Sequence, residues 1–343
     1  MSEARTIAVP WHIKLRAWWE GYDAQEYVEW RQRADSDGTE DDEPSLPPSI
    51  ALPKMMSLDD LMDETPADGT GAGVEFEEEA APDPVWSRAG IAVSQRVFGR
   101  GFVAPGGADA AIEMAKPLGL DPVQSVLDLT MGLGGPGAAL AGKYGVWITG
   151  YERNPALFDQ AVIELAAIKS GDQVRTNFYD PETVELPRRK FDVVLFVDEM
   201  HRVQDRLALI AKIHASMKDW GQFLLGDYVI PDENPPSDRL RAWMGNRGEP
   251  VTLWTRAQYE TALSNQGFDV RVIRDVSQTQ AELIRNDFAK FVSALNADRQ
   301  VTETPVGRQA LMALAEDWSR LATLLQNGEL QLLRFVSMKP EET

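Results

Sequence analysis

Short apolar runs alternate with small, glycine-rich or polar stretches from residue 125 to residue 154. Val126-Leu127-Asp128-Leu129 is followed by a turn at Gly132, Gly134 and Gly135, then an alanine-rich segment, then an apolar run over residues 146–149. Apolar runs bounded by turn signals predict buried strands, and the alanine-rich segment between them predicts a helix. The pattern continues down the chain. Residues 155–170 have the spacing of an amphipathic helix, 173–178 of a strand, and 191–197 of a strand buried on both faces. A helix over 207–218 leads to a fifth strand over 222–225, after which Gly226-Asp227-Tyr228 opens a proline- and tryptophan-bearing excursion, 231–250. A helix over 254–266, a sixth strand over 269–275, a polar helical stretch at about 280–327 and a last strand over 330–338 complete the series. Strands alternating with helices predict an α/β fold on a parallel sheet.

Upstream the pattern changes twice. Residues 85–120 read as a capping helix and a loop leading into the core, whereas 34–84 turn to Asp, Glu, Pro, Gly and Ser, a composition that buries too little apolar surface to offset ordering entropy. That stretch is expected to be an acidic linker. Within it residues 52–62 form an apolar island, where Ser57 is placed to cap a short helix carrying Leu58, Leu61 and Met62. Residues 1–33 form an aromatic helical segment: four of the ten tryptophans lie between Trp11 and Arg33, and Asp23 with Glu26 makes a capping box. Helices this aromatic need a surface to pack on, so residues 11–33 and 52–62 are candidate contacts for a protein partner.

Composition narrows the function classes. The net charge of −20 is concentrated between Asp35 and Asp83, where 16 acidic residues face the single Lys54, so the folded part is only mildly acidic. Nucleic-acid binding rests on clustered Lys and Arg, and no such cluster is present. The chain has no cysteine and three histidines, which removes disulfides, thiolate chemistry and cysteine zinc sites and leaves no expected metal site. Residues 1–21 lack the apolar core of a signal peptide, and no run approaches about 18 apolar residues. The expectation is a cytoplasmic protein without a membrane span.

The chemistry gathers at the strand ends. A glycine turn after a parallel strand lets backbone N–H groups and a helix N-terminus approach a ligand, because glycine has no Cβ to hold it away. The second strand ends at Glu152, about 20 residues beyond the turn, where a carboxylate is placed to accept from ribose hydroxyls. A dinucleotide fingerprint requires G-x-G-x-x-G directly after the strand, and here the order is Asp128-Leu129-Thr130-Met131-Gly132-Leu133-Gly134-Gly135.

That order resembles the D-x-G-x-G-x-G motif of class I S-adenosylmethionine-dependent methyltransferases, with Thr130 at the first glycine. Arg96-Val97-Phe98-Gly99-Arg100-Gly101-Phe102-Val103 followed by Gly106-Gly107 resembles the segment that covers the active site in phosphoethanolamine N-methyltransferases. The resemblance runs from about residue 85 to the C-terminus. It implies a Rossmann-like seven-stranded class I methyltransferase sheet with helices on both faces, whose last strand enters antiparallel beside the fifth, preceded by the aromatic helical segment and the acidic linker. It also implies S-adenosyl-L-methionine as cofactor, held by Asp128, Thr130, Gly132, Gly134, Gly135, Glu152, Asp180 and Asp198, with Asp180 accepting from the adenine amino group.

The implied activity is methyl transfer to a small-molecule acceptor. A general base is needed if the acceptor carries a proton, and Asp198, His201, Asp227 and Tyr228, at the ends of the fourth and fifth strands, are the catalytic candidates. The family has an aspartate at the position of Asp198 and a histidine four residues later; here position 202 is arginine and the histidine is His201. The family's tyrosine two residues before the Arg of R-V-F-G is Ser94. An alternative is a catalytically lapsed regulatory or scaffold protein of the same fold, acting through its N-terminal extension, and nucleoside binding discriminates the two. A valine at Gly134 is expected to abolish cofactor binding and leave the sheet folded.

Overall fold

The computed structural model describes residues 86–294 and 304–341, together with the isolated positions Ala17 and Val28. The aromatic segment 1–33, apart from those two positions, and the acidic stretch 34–84 lie outside the described residues. Contacts divide the chain into one unit of Ala80–Phe288 with Val301–Thr343, which holds the sheet and the candidate site, and another of Met1–Glu79 with Ala289–Gln300.

In the described chain α1 (Arg88–Phe98) and α2 (Gly107–Ala115) precede β1 (Ser125–Asp128), α3 (Gly135–Tyr144), β2 (Trp147–Glu152), α4 (Pro155–Leu165) and β3 (Val174–Phe178). There follow β4 (Phe191–Val197), α5 (Arg206–Ser216), β5 (Met217–Ile230), α6 (Asp238–Gly245), β6 (Trp254–Thr255), α7 (Arg256–Asn265), β7 (Asp269–Asp275), α8 (Ser277–Ala294), α9 (Pro305–Gln326) and β8 (Gln331–Met338). The sheet order is β3-β2-β1-β4-β5-β8-β7, with the two-residue β6 added beside β5. Strands β1 to β5 run parallel, and β8 enters antiparallel between β5 and β7. This is the Rossmann-like class I methyltransferase arrangement, with β6 as an eighth, accessory strand.

Side-chain alternation sorts the sheet into two faces. Leu127, Val194, Phe196, Phe223 and Leu225 pack with Ile210 and Ile213 of α5 and Leu263 of α7. Their neighbours Val126, Val193, Leu195 and Leu224 pack on the other face with Ala138 and Leu140 of α3 and Ala161 of α4. Successive side chains on a strand point to opposite faces, so apolar runs this continuous require helices on both sides. The helix starts are fixed by local chemistry: Asn154 accepts from Ala156 and Leu157 N–H, Asp205 from Ala208 N–H, and Thr255 with Gln258 forms a capping box.

Several boundaries depart from the sequence reading: the helix expected over 155–170 ends at Leu165, the fifth strand begins at Met217, and the excursion 231–250 contains α6. The fifth strand continues to Ile230, because β8 pairs with it from Gln222 to Val229; Asp227 and Tyr228 are therefore strand residues. The predicted helix over 254–266 begins with the strand pair Trp254–Thr255. The polar stretch divides into α8 and α9, and residues 295–303 between them lie outside the described residues. No helix among the described residues is long and apolar enough to cross a membrane.

Candidate active site

Strand order reverses between β1 and β4, and at their carboxyl ends a cavity of about 450 Å³ opens. Ligands in open α/β sheets lie at such a switch point. Asp128, Thr130, Gly132, Glu152, Asp198, His201 and Tyr228 line it; Gly134, Gly135, Asp180 and Asp227 do not.

The glycine turn is built from β1 outward. Asp128 accepts from Thr130 N–H at 3.0 Å, and Thr130 Oγ1 accepts from Val197 N–H at 3.0 Å, tying the ends of β1 and β4 together. Thr130 fits because its backbone is not left-handed; in this turn the positive φ angles fall on Gly132 (55°) and Gly134 (83°). Gly132 N–H donates to Glu152 Oε2 at 2.9 Å and Asn154 N–H to Oε1 at 2.7 Å. Glu152 is thus oriented at the cavity edge by two backbone donors. Its burial pushes its carboxyl up to about 8; the N–H of Asn154 opposes this, the charge of Glu199 adds to it, and the N–H of Gly132 opposes it. Burial likewise raises Asp128 to about 6 against its hydrogen bonds from Thr130.

Gly134 and Gly135 serve packing. A Cβ on Gly134 would lie 2.7–2.8 Å from the side chain of Leu165 on α4, pointing into protein and away from the cavity. A Cβ on Gly135 would overlap the carbonyl of Gly101, which accepts from Gly135 N–H at 3.0 Å. That bond docks the segment 95–104 onto the turn: Gln95 accepts from Gly101 N–H, and Glu164 accepts from both Gln95 and Arg100. The expectation for Gly134→Val is therefore corrected. The substitution combines a left-handed φ with a steric collision, so it is expected to lower stability by about 2–4 kcal/mol, seen as a falling thermal midpoint. A variant with the parent midpoint that fails to bind ligand would restore the direct-contact role.

Asp180 is exposed, and its carboxylate accepts from Glu182 N–H and Thr183 Oγ1. Side chains this close in sequence form a turn, which holds the group outside the cavity.

At the end of β4, Asp198 takes a left-handed φ of 61°, and its carboxylate receives both terminal nitrogens of Arg334 from β8. Gly226 lies opposite Arg334, and any Cβ there would overlap the guanidinium. His201 follows in a single 3-10 turn and is 2% exposed. Its Nδ1 is 2.6 Å from Asp227 Oδ1, and Tyr259 donates its hydroxyl proton to Asp227 Oδ2. Asp227 is fully buried, so it stands behind His201. Burial, reinforced by the charge of Asp227, holds the Tyr259 hydroxyl well above its usual range and keeps it a donor. The imidazole contacts Tyr228 edge-on at 5.4 Å and Trp243 at 5.9 Å. Its carbonyl accepts from Thr252 N–H at 2.9 Å and from Arg206.

The rim comes from segments the sequence reading left without a role. Glu249, in the excursion after β5, accepts from Arg153 and Arg202, and Glu199 lies within 3.6 Å of both arginines. Arg247 pairs with Asp317 of α9 at 2.7 Å and lies over the ring of Trp243. Arg334 alone left a trace in the sequence, the one charged residue in the strand Gln331–Met338. Tyr259, Trp243 and Asp317 left none, since each looks like an ordinary helix residue.

Residues 105–272 match a family model described as a methyltransferase domain. The chain is 28% identical over 202 residues to phosphoethanolamine N-methyltransferase 1 of Zea mays, covering 59% of this chain and 39% of that protein. It is 29% identical over 201 residues to a phosphoethanolamine N-methyltransferase of Triticum aestivum, again covering 59% and 39%. The aligned region is thus well under half the length of these plant relatives. Among solved structures, Haemonchus contortus phosphoethanolamine N-methyltransferase 2 in complex with phosphomonomethylethanolamine and S-adenosylhomocysteine superposes with a TM-score of 0.65. Its identity is 20%, over 74% of this chain and 58% of that one.

Proposed function

We propose that this chain, whose residues 105–272 are a class I methyltransferase domain similar to the phosphoethanolamine N-methyltransferases, binds S-adenosylmethionine and methylates a small-molecule acceptor. The observation that carries the reading is Glu152. Its buried carboxylate, aimed along the cavity by two backbone N–H groups, keeps acceptor capacity on both oxygens for ribose hydroxyls.

The donor set fits the cofactor. Glu152 would hold the ribose, Leu133 and Leu157 flank the same cavity as apolar walls, and Gly132 leaves the space that a side chain would fill toward Val103. When bound, the cofactor supplies an electrophilic methyl group on a sulfonium. The protein's part is to orient the acceptor, exclude water and take a proton. Tyr228 and Trp243 cover the end of the cavity where His201 sits, and His201 Nε2 accepts the proton of the acceptor. The Asp198–Arg334 pair fixes the corner between β4 and that histidine.

The relatives' names support an amine as acceptor, and ethanolamine phosphate is the first to test. Ser94, which stands where those enzymes have tyrosine, is wholly buried and does not line the cavity, so other primary and secondary amines belong in the same screen. The reading extends to a cytoplasmic setting and to a protein partner for residues 11–33 and 52–62, supported by the sequence composition.

Calorimetry with S-adenosylmethionine and S-adenosylhomocysteine tests the binding half directly. Micromolar affinity is expected, and no heat at millimolar ligand would overturn the reading. The pH dependence follows from Glu152. Ribose donors favour the ionised carboxylate, and its value in the protein is raised to about 8, so binding needs a proton to leave below that pH. Affinity is expected to tighten as pH rises from about 6 to about 8 and to level off above, with proton release seen as a buffer-dependent heat. A flat profile would remove Glu152 as the ribose acceptor.

A further inference from the structure

Three buried side chains from three elements form one chain of hydrogen bonds behind the cavity. Tyr259 of α7, completely buried, donates to Asp227 Oδ2; Asp227 of β5, also completely buried, faces His201 Nδ1 through Oδ1 at 2.6 Å; and His201, 2% exposed, lines the cavity. Tyr259 and Asp227 do not line the cavity themselves. With Tyr259 donating to Oδ2, the tautomer that carries its proton on Nδ1 lets Asp227 accept at both oxygens. That tautomer has no proton on Nε2.

Each member is fixed by its own element. Asp227 lies in the register of β5 against β8, opposite Leu333. Tyr259 packs edge-tilted against Trp254 at 5.0 Å and Phe335 at 5.6 Å, which sets its ring. The carbonyl of His201 is tied by Thr252 N–H and Arg206. A carboxylate with one donor per oxygen has little freedom to rotate.

We infer that Tyr259 and Asp227 are positioning residues that hold His201 as the Nδ1–H tautomer and so present an unprotonated Nε2 to the acceptor. The inference rests on the reading of His201 as the proton acceptor. In the reaction the acceptor's N–H or O–H proton would pass to Nε2, and the freed electron pair would displace the methyl carbon from the sulfonium, the C–S bonding pair staying on sulfur so that neutral S-adenosylhomocysteine leaves. The Nδ1 proton stays on His201, and the hydroxyl proton stays on Tyr259. Asp227 balances the imidazolium charge that results, and Tyr259 keeps Asp227 turned toward it.

The tautomer is read by nitrogen-15 NMR on the full chain, whose three histidines give few signals; His201→Asn assigns the one of interest. Above the pH range in which imidazoles titrate, His201 is expected to show a protonated Nδ1 and a bare Nε2. A dominant Nε2–H form in the parent protein overturns the inference, with no variant required. Asp227→Asn, nearly isosteric, is expected to shift the ring toward Nε2–H and lower kcat by about 10²–10⁴ with KM and S-adenosylhomocysteine affinity unchanged. Tyr259→Phe removes one oxygen and is expected to lower kcat by about tenfold, on the scale of one hydrogen bond, again with KM unchanged. It should also broaden the Nδ1–H signal through faster exchange. Parent-like kcat and an unaltered Nδ1–H signal in Tyr259→Phe would exclude its part, and an unchanged tautomer in Asp227→Asn would exclude that of Asp227. Failure of the parent protein to bind S-adenosylhomocysteine would instead defeat the methyltransferase reading, a result separate from the tautomer measurement.

Discussion

Replacing His201 by asparagine is expected to reduce methyl transfer by about 10²–10⁴, the usual worth of a positioned general base, while S-adenosylhomocysteine binds as it does to the parent protein. Asparagine is small enough for the site and keeps a polar atom near Asp227, so the buried carboxylate retains a partner. What disappears is Nε2, for which no hydrogen bond is found among the described residues, on a side chain that lines the cavity. Glu152 and Gly132, which would hold the cofactor, belong to the β1–β2 side and share no hydrogen bond with His201 among the described residues. Loss of turnover with intact affinity therefore separates proton transfer from binding. Turnover of amines against calorimetric affinity is the measurement, and a variant with parent-like turnover would dismiss His201 as the base.

Glu152→Ala should have the opposite signature, losing the cofactor itself. A hydrogen bond to a charged group contributes about 1.5–3 kcal/mol, and two ribose hydroxyls on one carboxylate amount to at least about a hundredfold in affinity. The variant also leaves Gly132 N–H and Asn154 N–H without their acceptor, which loosens the glycine turn at the point where ligand and backbone meet. The same change removes a carboxyl whose burial opposes ionisation. Folded-state protonation of Glu152 is favoured up to about pH 8 against the usual carboxylate range when unfolded. The folded parent thus binds more protons between those values, and its unliganded stability is expected to fall as pH rises through that window. Stability and cofactor affinity should therefore move in opposite directions with pH in the parent, and the alanine variant should lose both trends. Thermal melts and calorimetry over about pH 5 to 9 decide it, and undiminished affinity in Glu152→Ala would place the ribose elsewhere.

The two readouts also bear on the order in which the site is built. Asp128, Thr130 and Glu152 are connected by hydrogen bonds among the β1, β2 and β4 ends, whereas the far end of the cavity is lined from β5, α9 and the excursion after β5. Loops and insertions on a constant sheet are where chemistry varies between proteins that share a fold. The excursion supplies Trp243, Arg247 and Glu249, and α9 supplies Asp317 and Trp318.

What the sequence by itself determined is what depends on near neighbours. The strands Phe191–Val197 and Asp269–Asp275 have the bounds their apolar patterns predict, and the glycine turn with Glu152 was legible because chain direction, positive φ and a carboxylate at the next strand end are local facts. Only the tertiary structure decided which residues serve the cavity and from which side. Asp227 read as a loop residue because the pairing that keeps it in a strand comes from β8, about a hundred residues further on. Gly134 read as ligand-facing because nothing nearby in sequence reveals Leu165 behind it. Asp198 read as a cofactor-binding and catalytic candidate, and its pairing with Arg334, 136 residues away, was not legible. Tyr259 reaches Asp227 because α7 crosses the face of the sheet that Asp227 points to. Periodicity fixes an element and its apolar face, but the partner of a buried charge is set by strand order and register, which no stretch of sequence contains alone.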